Sequence, residues 1–382
     1  MDAVGYAHEL LGDTVPKDAS HLADYLGAAS RLLASPTATL DRIAALQDEW
    51  IDLARASTAF ERFLLQSVRI VAGTCVGFAA RRLAAETEFD WVIVDEAGRA
   101  TPPETLVPLV RGRRFLLVGD QRQLPPILDE VAAEAVVKRF EADGGALRRS
   151  LFEELFNTVP QEARLTLTKQ YRMHPEIGGL VADCFYSEKL EHGVNPEERP
   201  LGVKLVGAAL KWLDTSKIDA AEQNIGTSYR NPTEASIIMK QVRAMERQAA
   251  KLGLMEKVTV GVLTGYLPQQ DLLLSRVRSA GVERLSHLDV QVHTVDAAQG
   301  KEFDIVFYSA VRSNPTGNIG FLKDERRLNV ALSRARDGLV IVGDSESLTS
   351  AKVRASSNPF VAVKAYFDAK PHERPREVLR DA

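Results

Sequence analysis

Two stretches decide the fold class of this chain: Val-Ile-Val-Asp-Glu-Ala at residues 92–97 and Phe-Leu-Leu-Val-Gly-Asp-Gln-Arg-Gln-Leu-Pro-Pro at residues 115–126. Each begins as a short apolar run that is typical of a buried parallel strand, and each ends in acidic or amide side chains. Ligands of open α/β sheets bind beyond the carboxyl ends of such strands. The two stretches therefore predict a nucleotide site on a parallel sheet.

The rest of the chain alternates strand and helix patterns, which predicts an α/β fold with crossover helices. Strand candidates lie at residues 68–72, 91–94, 114–118, 258–263, 288–292, 305–309 and 339–342. Helix candidates lie at residues 146–156, 175–183, 232–252, 269–279, 325–334 and 359–367. Residues 1–66 have apolar side chains at helical spacing, with Thr39 as a candidate N-cap, and we interpret them as a helical segment.

Composition and charge describe an ordinary globular chain of 382 residues with a formal net charge of -4. No run of 18 apolar residues occurs, so no membrane partner is expected. The first 20 residues have no apolar signal region, and the two cysteines, Cys75 and Cys184, lie far apart. These features favour a reducing compartment, with the cytoplasm as the predicted location and the nucleus left open.

Several side chains suit phosphate chemistry. Gln123 offers a neutral amide to a γ-phosphate or an attacking water, and Arg172 offers a guanidinium fork that stays charged. Tyr171 offers a ring for stacking, and we interpret His174 as a helix-start residue rather than an acid/base group. Arg334 lies near the end of a predicted helix, where it is read either as a phosphate clamp or as part of a solvated basic face.

Five motifs together resemble motifs II to VI of superfamily 1 helicases, in the branch that contains the nonsense-mediated-decay RNA helicase and senataxin. They are Asp-Glu-Ala-Gly at 95–98, Gly-Asp-x-x-Gln-Leu-Pro-Pro at 119–126, Gln-Tyr-Arg-Met-His-Pro at 170–175, Val-Asp-x-x-Gln-Gly-x-Glu at 295–302 and Leu-Asn-Val-Ala-Leu-Ser-Arg-Ala-Arg at 328–336. Segments 229–235 and 264–269 resemble linking motifs of the branch, and 73–75 resembles a segment that touches nucleic acid.

The resemblance implies two RecA-like domains with ATP in the cleft between them and single-stranded DNA or RNA running across both. Asp95 would bind Mg²⁺ and Glu96 would act as general base, while Gln123 would sense the γ-phosphate. Arg172 and Arg334 would act as arginine fingers outside the hydrophobic core. The remaining expected ATP contacts are Gln170, Tyr171, Gly300 and Glu302, and the expected nucleic-acid contacts are Thr74, Thr264, Tyr266, Thr294 and Arg312.

One part of the family pattern is absent from these 382 residues: the Walker A loop, G-x-x-x-x-G-K-[ST]. That loop cradles the phosphates with backbone N–H groups and a lysine. The simplest interpretation is a C-terminal part of a longer helicase. The alternatives are a non-catalytic nucleic-acid-binding or regulatory remnant, and a half-enzyme that a Walker A-bearing partner completes in trans.

The expected domains are a helical segment at 1–66, the end of an insertion in the first motor domain, and the C-terminal part of RecA-like domain 1 at 67–167. RecA-like domain 2 is expected at 168–370, followed by a frayed tail at 371–382.

Overall fold

The computed structural model describes residues 67–80, 87–140, 148–186, 190–279, 285–350 and 358–380, together with the single residues 47, 50, 51, 65, 145 and 281. The predicted helical segment at 1–66, with its N-cap Thr39, lies outside the described residues apart from those single positions. Within the described parts of the chain, no helix combines the length and apolar character that a bilayer crossing demands.

The chain divides into two compact units, one formed by residues 1–118 and 130–147 and the other by residues 119–129 and 148–382. The predicted domain limits at residues 66, 167 and 370 stay predictions. The first unit contains α1 (Cys75–Ala80), β1 (Phe89–Val94), α2 (Pro102–Leu109), β2 (Gly112–Leu117) and α3 (Glu130–Phe140).

Strands β1 and β2 of the first unit pair in parallel, with Phe89 opposite Gly112 and Val94 opposite Leu117. The connection between them runs through α2, as a parallel pair requires. Thr101 caps the start of α2: its side chain accepts a hydrogen bond from the Glu104 N–H, and the Glu104 carboxylate accepts one from the Thr101 N–H. This capping box sets where the crossover starts.

The second unit is built on a six-stranded sheet of order β12-β5-β11-β10-β8-β9 in which every pairing is parallel. Its strands are β5 (Leu210–Asp214), β8 (Val258–Thr264), β9 (Leu288–Thr294), β10 (Phe303–Ser309), β11 (Ala335–Gly343) and β12 (Arg376–Val378). Two small pairs lie outside this sheet: β3 (Lys169–Gln170) with β4 (Glu191–His192), and β6 (Gln223–Ile225) with β7 (Ser228–Arg230).

Helices cover both faces of this sheet, as parallel sheets require. The helices of the second unit are α4 (Leu151–Thr158), α5 (Pro175–Phe185), α6 (Leu201–Val206), α7 (Pro232–Leu252), α8 (Leu267–Ser279), α9 (Glu325–Leu332), α10 (Ser345–Leu348) and α11 (Pro359–Ala369). One core joins α5, α9 and α11 to strand residues such as Trp212 and Tyr308. The other core joins α6, α7 and α8 to the alternating residues Leu213 and Phe307. The RecA-like α/β fold predicted from the sequence is therefore confirmed.

Three element predictions are wrong. Residues 68–72 form no strand, and Ile70 is 85% exposed, because an apolar run becomes a strand only where a neighbouring strand pairs with it. The helix predicted from residue 146 begins at Leu151, since Ser150 caps it by accepting a hydrogen bond from the Glu153 N–H. The tail expected to fray contributes β12, which pairs with β5.

Candidate functional site

In the first unit, the predicted metal ligand and general base follow β1 directly. The Asp95 carboxylate accepts a hydrogen bond from the Glu96 N–H at 3.0 Å. Glu96 adopts a left-handed backbone with φ of 53°, a conformation that is uncommon outside glycine and is often found at functional sites. The Ala97 N–H donates to the Val118 carbonyl at 2.8 Å, so the ends of β1 and β2 stay joined. Both carboxylates remain exposed at this edge.

Thr74, the nucleic-acid contact predicted in the first unit, caps the six-residue helix α1. Its hydroxyl accepts a hydrogen bond from the Gly77 N–H at 3.0 Å. Thr74 is exposed. Its predicted contact with a phosphate stays a prediction.

In the second unit, strand register brings Glu302 and Arg334 to the same edge of the sheet. Phe303 of β10 pairs with Ala335 of β11, so the residues that precede them lie side by side. The Phe303 N–H also donates to the Arg334 carbonyl at 2.9 Å. Glu302 and Arg334 therefore come together although 32 positions of sequence separate them.

Arg172 joins this edge through an ion pair. Its Nε donates to the Glu302 carboxylate at 2.6 Å, and its Nη1 lies 3.5 Å from the Ser333 carbonyl. The side chains of Arg172 and Glu302 are 40% and 48% exposed. The guanidinium is therefore held in place while part of it still faces solvent, as an interaction with a phosphate requires.

Arg334 is buried, with 2% of its surface exposed. Its guanidinium donates to the Val330 carbonyl at 3.0 Å, to the Ser333 hydroxyl at 3.0 Å and to the Gln123 amide oxygen at 3.5 Å. The expectation that this arginine lies outside the core is wrong, because these acceptors draw it inward. The predicted solvated basic face is excluded for the same reason.

The Gln123 loop belongs to the second unit, where it docks on α9. Asp120 is central to this docking, because its carboxylate accepts hydrogen bonds from the Gln123 amide at 2.9 Å and from the Tyr186 hydroxyl at 2.5 Å. The Tyr186 hydroxyl in turn accepts a hydrogen bond from Asn329 of α9 at 3.0 Å. Burial, followed by the negative charge of Asp120, raises the pKa of Tyr186 and keeps its phenol protonated as a donor.

Sequence reasoning missed Asp120, Tyr186 and Asn329 as members of this network. Asp120 and Asn329 lie inside the quoted motifs, so the motifs contained a signal for them. Tyr186 lies outside every motif, and nothing in its local sequence marks it.

Gln170 and Tyr171 differ in how much of each side chain is available. The Gln170 amide oxygen accepts from the backbone N–H groups of Arg172 and Met173, and its nitrogen donates to the Met173 carbonyl at 2.8 Å. These bonds show that the Gln170 amide holds the turn, and its predicted contact with ATP stays a prediction. Tyr171 is 61% exposed, and its ring rests against Gly193, where an added Cβ would lie 2.2 Å from Cε1.

Gly300 and His174 occupy special backbone positions. Gly300 has φ of 77° with open space where a Cβ would point, which allows another molecule to approach the backbone closely. His174 caps α5, since its Nδ1 accepts a hydrogen bond from the Glu176 N–H at 3.1 Å. Burial lowers the pKa of His174. The interpretation of His174 as a helix-start residue is confirmed.

Four predicted nucleic-acid contacts lie at or just beyond the carboxyl ends of β8, β9 and β10: Thr264, Tyr266, Thr294 and Arg312. From β8 the chain continues to β9 on one side of the strand and then to β10 on the other side, so the direction of strand addition reverses at β8. Open α/β sheets bind ligands at such a reversal. Thr294 is partly exposed, whereas Thr264 and Arg312 are 0% and 4% exposed. Both of these side chains are therefore buried, and their predicted contacts with nucleic acid stay predictions.

Arg312 and Tyr266 form part of an internal cluster. Arg312 pairs with Glu222 at 2.8 Å and lies over the Tyr229 ring, 4.0 Å from its centroid. Tyr266 packs against Phe321 with ring centroids 4.4 Å apart, and burial raises its pKa to about 12. The cluster shapes this edge of the sheet, and the predicted nucleic-acid contacts of its members stay predictions.

The chain resembles known protein families in two regions. Two family models, each described as an AAA domain, match residues 147–346 and residues 37–130. The Regulator of nonsense transcripts 1 homolog of Neurospora crassa is 37% identical over 300 residues, which are 75% of this chain and 25% of that protein. The homolog of Arabidopsis thaliana is 36% identical over 301 residues, 76% of this chain and 22% of that protein.

The ATP-dependent helicase NAM7 of Saccharomyces cerevisiae is 34% identical over 297 residues, 75% of this chain and 28% of that protein. The aligned region thus spans only 22% to 28% of the length of these relatives. The chain belongs to the AAA-domain family, in the superfamily 1 helicase branch of the regulators of nonsense transcripts.

Proposed function

We propose that this chain supplies the hydrolytic and strand-gripping parts of an ATP-dependent nucleic-acid motor. One observation carries the proposal: the edge of the second unit gathers Arg172, Arg334, Glu302 and Gln123, two guanidinium groups with the acceptors that orient them. Such forks stabilise the charge that develops on a transferred phosphoryl group. The helicase names of the relatives support the same activity.

The predicted side chains of the ATP site would have different roles in hydrolysis. Asp95 would hold Mg²⁺, a hard cation that one or two carboxylates bind together with nucleotide phosphates. When bound, the ion neutralises negative charge on those phosphates. Glu96 would accept the proton of the attacking water, and the Gln123 amide would orient that water or the γ-phosphate. Tyr171 would stack on the adenine ring.

The ion pair between Arg172 and Glu302 adds a role for Glu302. At 2.6 Å the carboxylate fixes the direction of the Arg172 guanidinium. Preorganisation of this kind lowers the cost of stabilising a transition state. The predicted contact of Glu302 with ribose remains part of the proposal.

The first unit supports completion by a Walker A-bearing segment. Its described strands expose large apolar side chains, with Trp91 at 53%, Ile93 at 64% and Phe115 at 52%. Helices normally bury parallel strands on both faces, so the helices of a completing segment would cover these side chains. We infer that the missing phosphate loop arrives with them, in cis or in trans. The free thiols of Cys75 and Cys184 support a reducing location such as the cytoplasm.

Steady-state ATPase assays test this proposal. The chain alone should turn over far below ~10 s⁻¹, a median value for enzymes, with or without single-stranded DNA or RNA. Addition of a segment that carries G-x-x-x-x-G-K-[ST] and its strand should produce turnover that nucleic acid stimulates. Glu96→Gln should then reduce turnover by roughly 10²–10⁴-fold, the range for general-base catalysis, while nucleotide binding persists.

The control is Glu88→Gln, an exposed carboxylate just before β1, which should leave turnover unchanged. Strong turnover by the chain alone would contradict the need for a Walker A loop. An inactive chain that binds nucleic acid even after completion would favour the non-catalytic remnant.

A further inference from the structure

A basic groove of about 500 Å³ lies between α7 and α8. Four of the residues that line it are cations: Lys240, Arg243, Arg247 and Arg276. Among the described residues that line the groove there is no carboxylate. The groove is positively charged although the chain has a formal net charge of -4.

Helical spacing places the cations of α7 in one row. Positions 236, 240, 243 and 247 recur at three- and four-residue steps and so share one face of the helix. The rise of an α-helix separates Lys240 from Arg243 by about 4.5 Å and Arg243 from Arg247 by about 6 Å along the axis. Arg276 of α8 lies across the groove, where it hydrogen-bonds the Ser236 hydroxyl.

The acidic residues of α7 do not neutralise this row. The helix contains two of them, Glu234 and Glu246. Glu234 is fully buried, with its carboxylate on the Ser309 hydroxyl and the Val311 N–H. The Glu246 carboxylate accepts hydrogen bonds from the backbone N–H groups of Ser286 and His287. A solvated helix face would carry charges of both signs, whereas this face carries only positive ones.

The groove lies on the sheet face opposite the candidate nucleotide site. Helices α7 and α8 pack in the core that contains Leu213 and Phe307, whereas α9, next to Arg334, packs in the core that contains Trp212 and Tyr308. The six-stranded sheet separates the two faces. The groove is therefore a different place from the site described above.

We propose that this groove binds the phosphate backbone of a nucleic-acid strand outside the motor's own track, an inference that rests on the proposed function. Arginine forks bind phosphate oxygens in pairs, and the steps between the cations suit a ligand with repeating negative charge. The Ser236 and Ser279 hydroxyls donate to the Pro232 and Arg276 carbonyls, so the four cations are the groups that face a ligand, and Met239 gives the groove an apolar wall. The cations Lys240, Arg243 and Arg247 are exposed and spread along α7, which favours an extended strand over one compact anion.

The test uses the full chain and fluorescein-labelled 12-nucleotide oligo-dT and oligo-U, with anisotropy measured over a series of salt concentrations. Arg243→Glu/Arg247→Glu should weaken binding by roughly tenfold or more, since two charge-assisted contacts are lost. The salt slope should fall by roughly 1.4, at ~0.7 per phosphate contact with a single strand. Both substituted positions are exposed, so thermal melting should stay unchanged.

The matched control is Lys204→Glu/Lys257→Glu, which makes the same change in charge at exposed positions away from the groove and should leave affinity and slope near the wild-type values. Equal binding by both double variants would overturn the groove assignment and leave the motor proposal intact. The groove variant could lose oligonucleotide affinity while the chain hydrolyses no ATP even after addition of the Walker A segment. That result would support the groove proposal and contradict the motor proposal.

Two further ligands test whether the groove binds a small phosphate compound or an acidic protein instead of nucleic acid. Displacement of the oligonucleotide by inorganic tripolyphosphate at equal phosphate concentration would overturn the proposal of a nucleic-acid strand and indicate a small phosphate ligand. A labelled polyglutamate peptide that binds the wild-type chain more tightly than the oligonucleotides, and loses binding in the groove variant, would overturn nucleic acid in favour of an acidic protein partner.

Discussion

At the scale of single residues, Arg172 and Arg334 share a predicted role but differ in environment. The Arg172 side chain is 40% exposed and pairs with one carboxylate. Arg334 is 2% exposed and donates to several carbonyl, hydroxyl and amide acceptors within the second unit. The guanidinium group of Arg334 therefore contributes to the stability of the fold, whereas that of Arg172 contributes much less.

Alanine substitutions should separate these contributions. Arg334→Ala should lower the free energy of unfolding by about 1–3 kcal/mol, because buried acceptors lose their donor. Arg172→Ala should cost no more than about 1 kcal/mol, as expected for an exposed ion pair. Thermal melting of both variants measures the difference. Equal melting temperatures would show that the burial of Arg334 does not stabilise the fold, and Arg172→Lys serves as the charge-preserving control.

Glu234 is a second residue whose environment changes its chemistry. Its carboxyl is fully buried where α7 begins, and it accepts hydrogen bonds from the Ser309 hydroxyl at 2.6 Å and the Val311 N–H at 2.9 Å. Burial raises the pKa of Glu234 from its ordinary value of 4.5 to about 8, and the charges of Asp344 and Glu222 add to this effect. Val311 has φ of 71°, so this carboxyl supports a strained turn.

The raised pKa predicts a pH-dependent stability. Between pH 4.5 and about 8 the folded state retains a proton that the unfolded state has released. The free energy of unfolding should therefore fall as pH rises through this window, by up to about 1.4 kcal/mol per pH unit. Urea unfolding of wild type and Glu234→Gln at several pH values isolates this contribution. Parallel pH profiles for the two proteins would contradict the shift.

At the scale of elements, the loop at residues 119–126 is held on α9 by side chains rather than by strand pairing. Asp120, Tyr186 and Asn329 connect the loop, the end of α5 and α9 in one hydrogen-bonded chain. Asn329 also donates to the Arg122 carbonyl at 2.9 Å. These hydrogen bonds keep Gln123 beside Arg334, so the position of the loop matters for the proposed chemistry.

Removal of one hydroxyl should loosen this loop. Tyr186→Phe should cost about 1 kcal/mol, since Asp120 and Asn329 each keep another hydrogen-bond partner. Amide hydrogen exchange at residues 121–124 should accelerate more than exchange in β10. Tyr366→Phe is the matched control, because its hydroxyl donates to the Glu176 carbonyl at 3.2 Å. Unchanged exchange in the loop would show that the network does not hold it.

At the scale of the whole molecule, the two units differ in how well their strands are covered. The six-stranded sheet of the second unit has helices on both faces, and Trp212 of β5 is 0% exposed. The described sheet of the first unit has two strands, with Trp91 53% exposed. A pair of strands is marginal without further packing, so the first unit should be the less stable one.

Separate unfolding of the units follows from this difference. Trp50→Phe/Trp91→Phe leaves Trp212 as the only tryptophan of the three in the chain. In a urea titration, the first loss of far-ultraviolet circular dichroism should report unfolding of the first unit. Trp212 fluorescence should report unfolding of the second unit, and it should change at a higher urea concentration. Unsubstituted protein provides the control for the circular dichroism curve. A single coincident transition would show that the units unfold together.

Local sequence signals predicted the regular elements of the second unit well. The limits of α7 at 232 and 252 agree with the structure because Asn231 caps its start and Gly253, with φ of 63°, ends it. The apolar runs of β8, β10 and β11 were equally clear. The hairpin of β6 and β7 was missed because each of its strands has only three residues. The strand β5 was missed because it has only five residues and its pairing partners, β11 and β12, lie far along the chain.

The family, the parallel sheet and the identity of the chemical groups can be predicted from the sequence, because motif spacing and apolar periodicity are local properties of the chain. The use of those groups depends on tertiary contacts. The contact of Arg334 with Gln123 joins residues 211 positions apart, and the ion pair of Arg172 with Glu302 joins residues 130 apart. Burial, hydrogen-bond partners and pKa shifts arise from such distant neighbours, which local patterns do not specify.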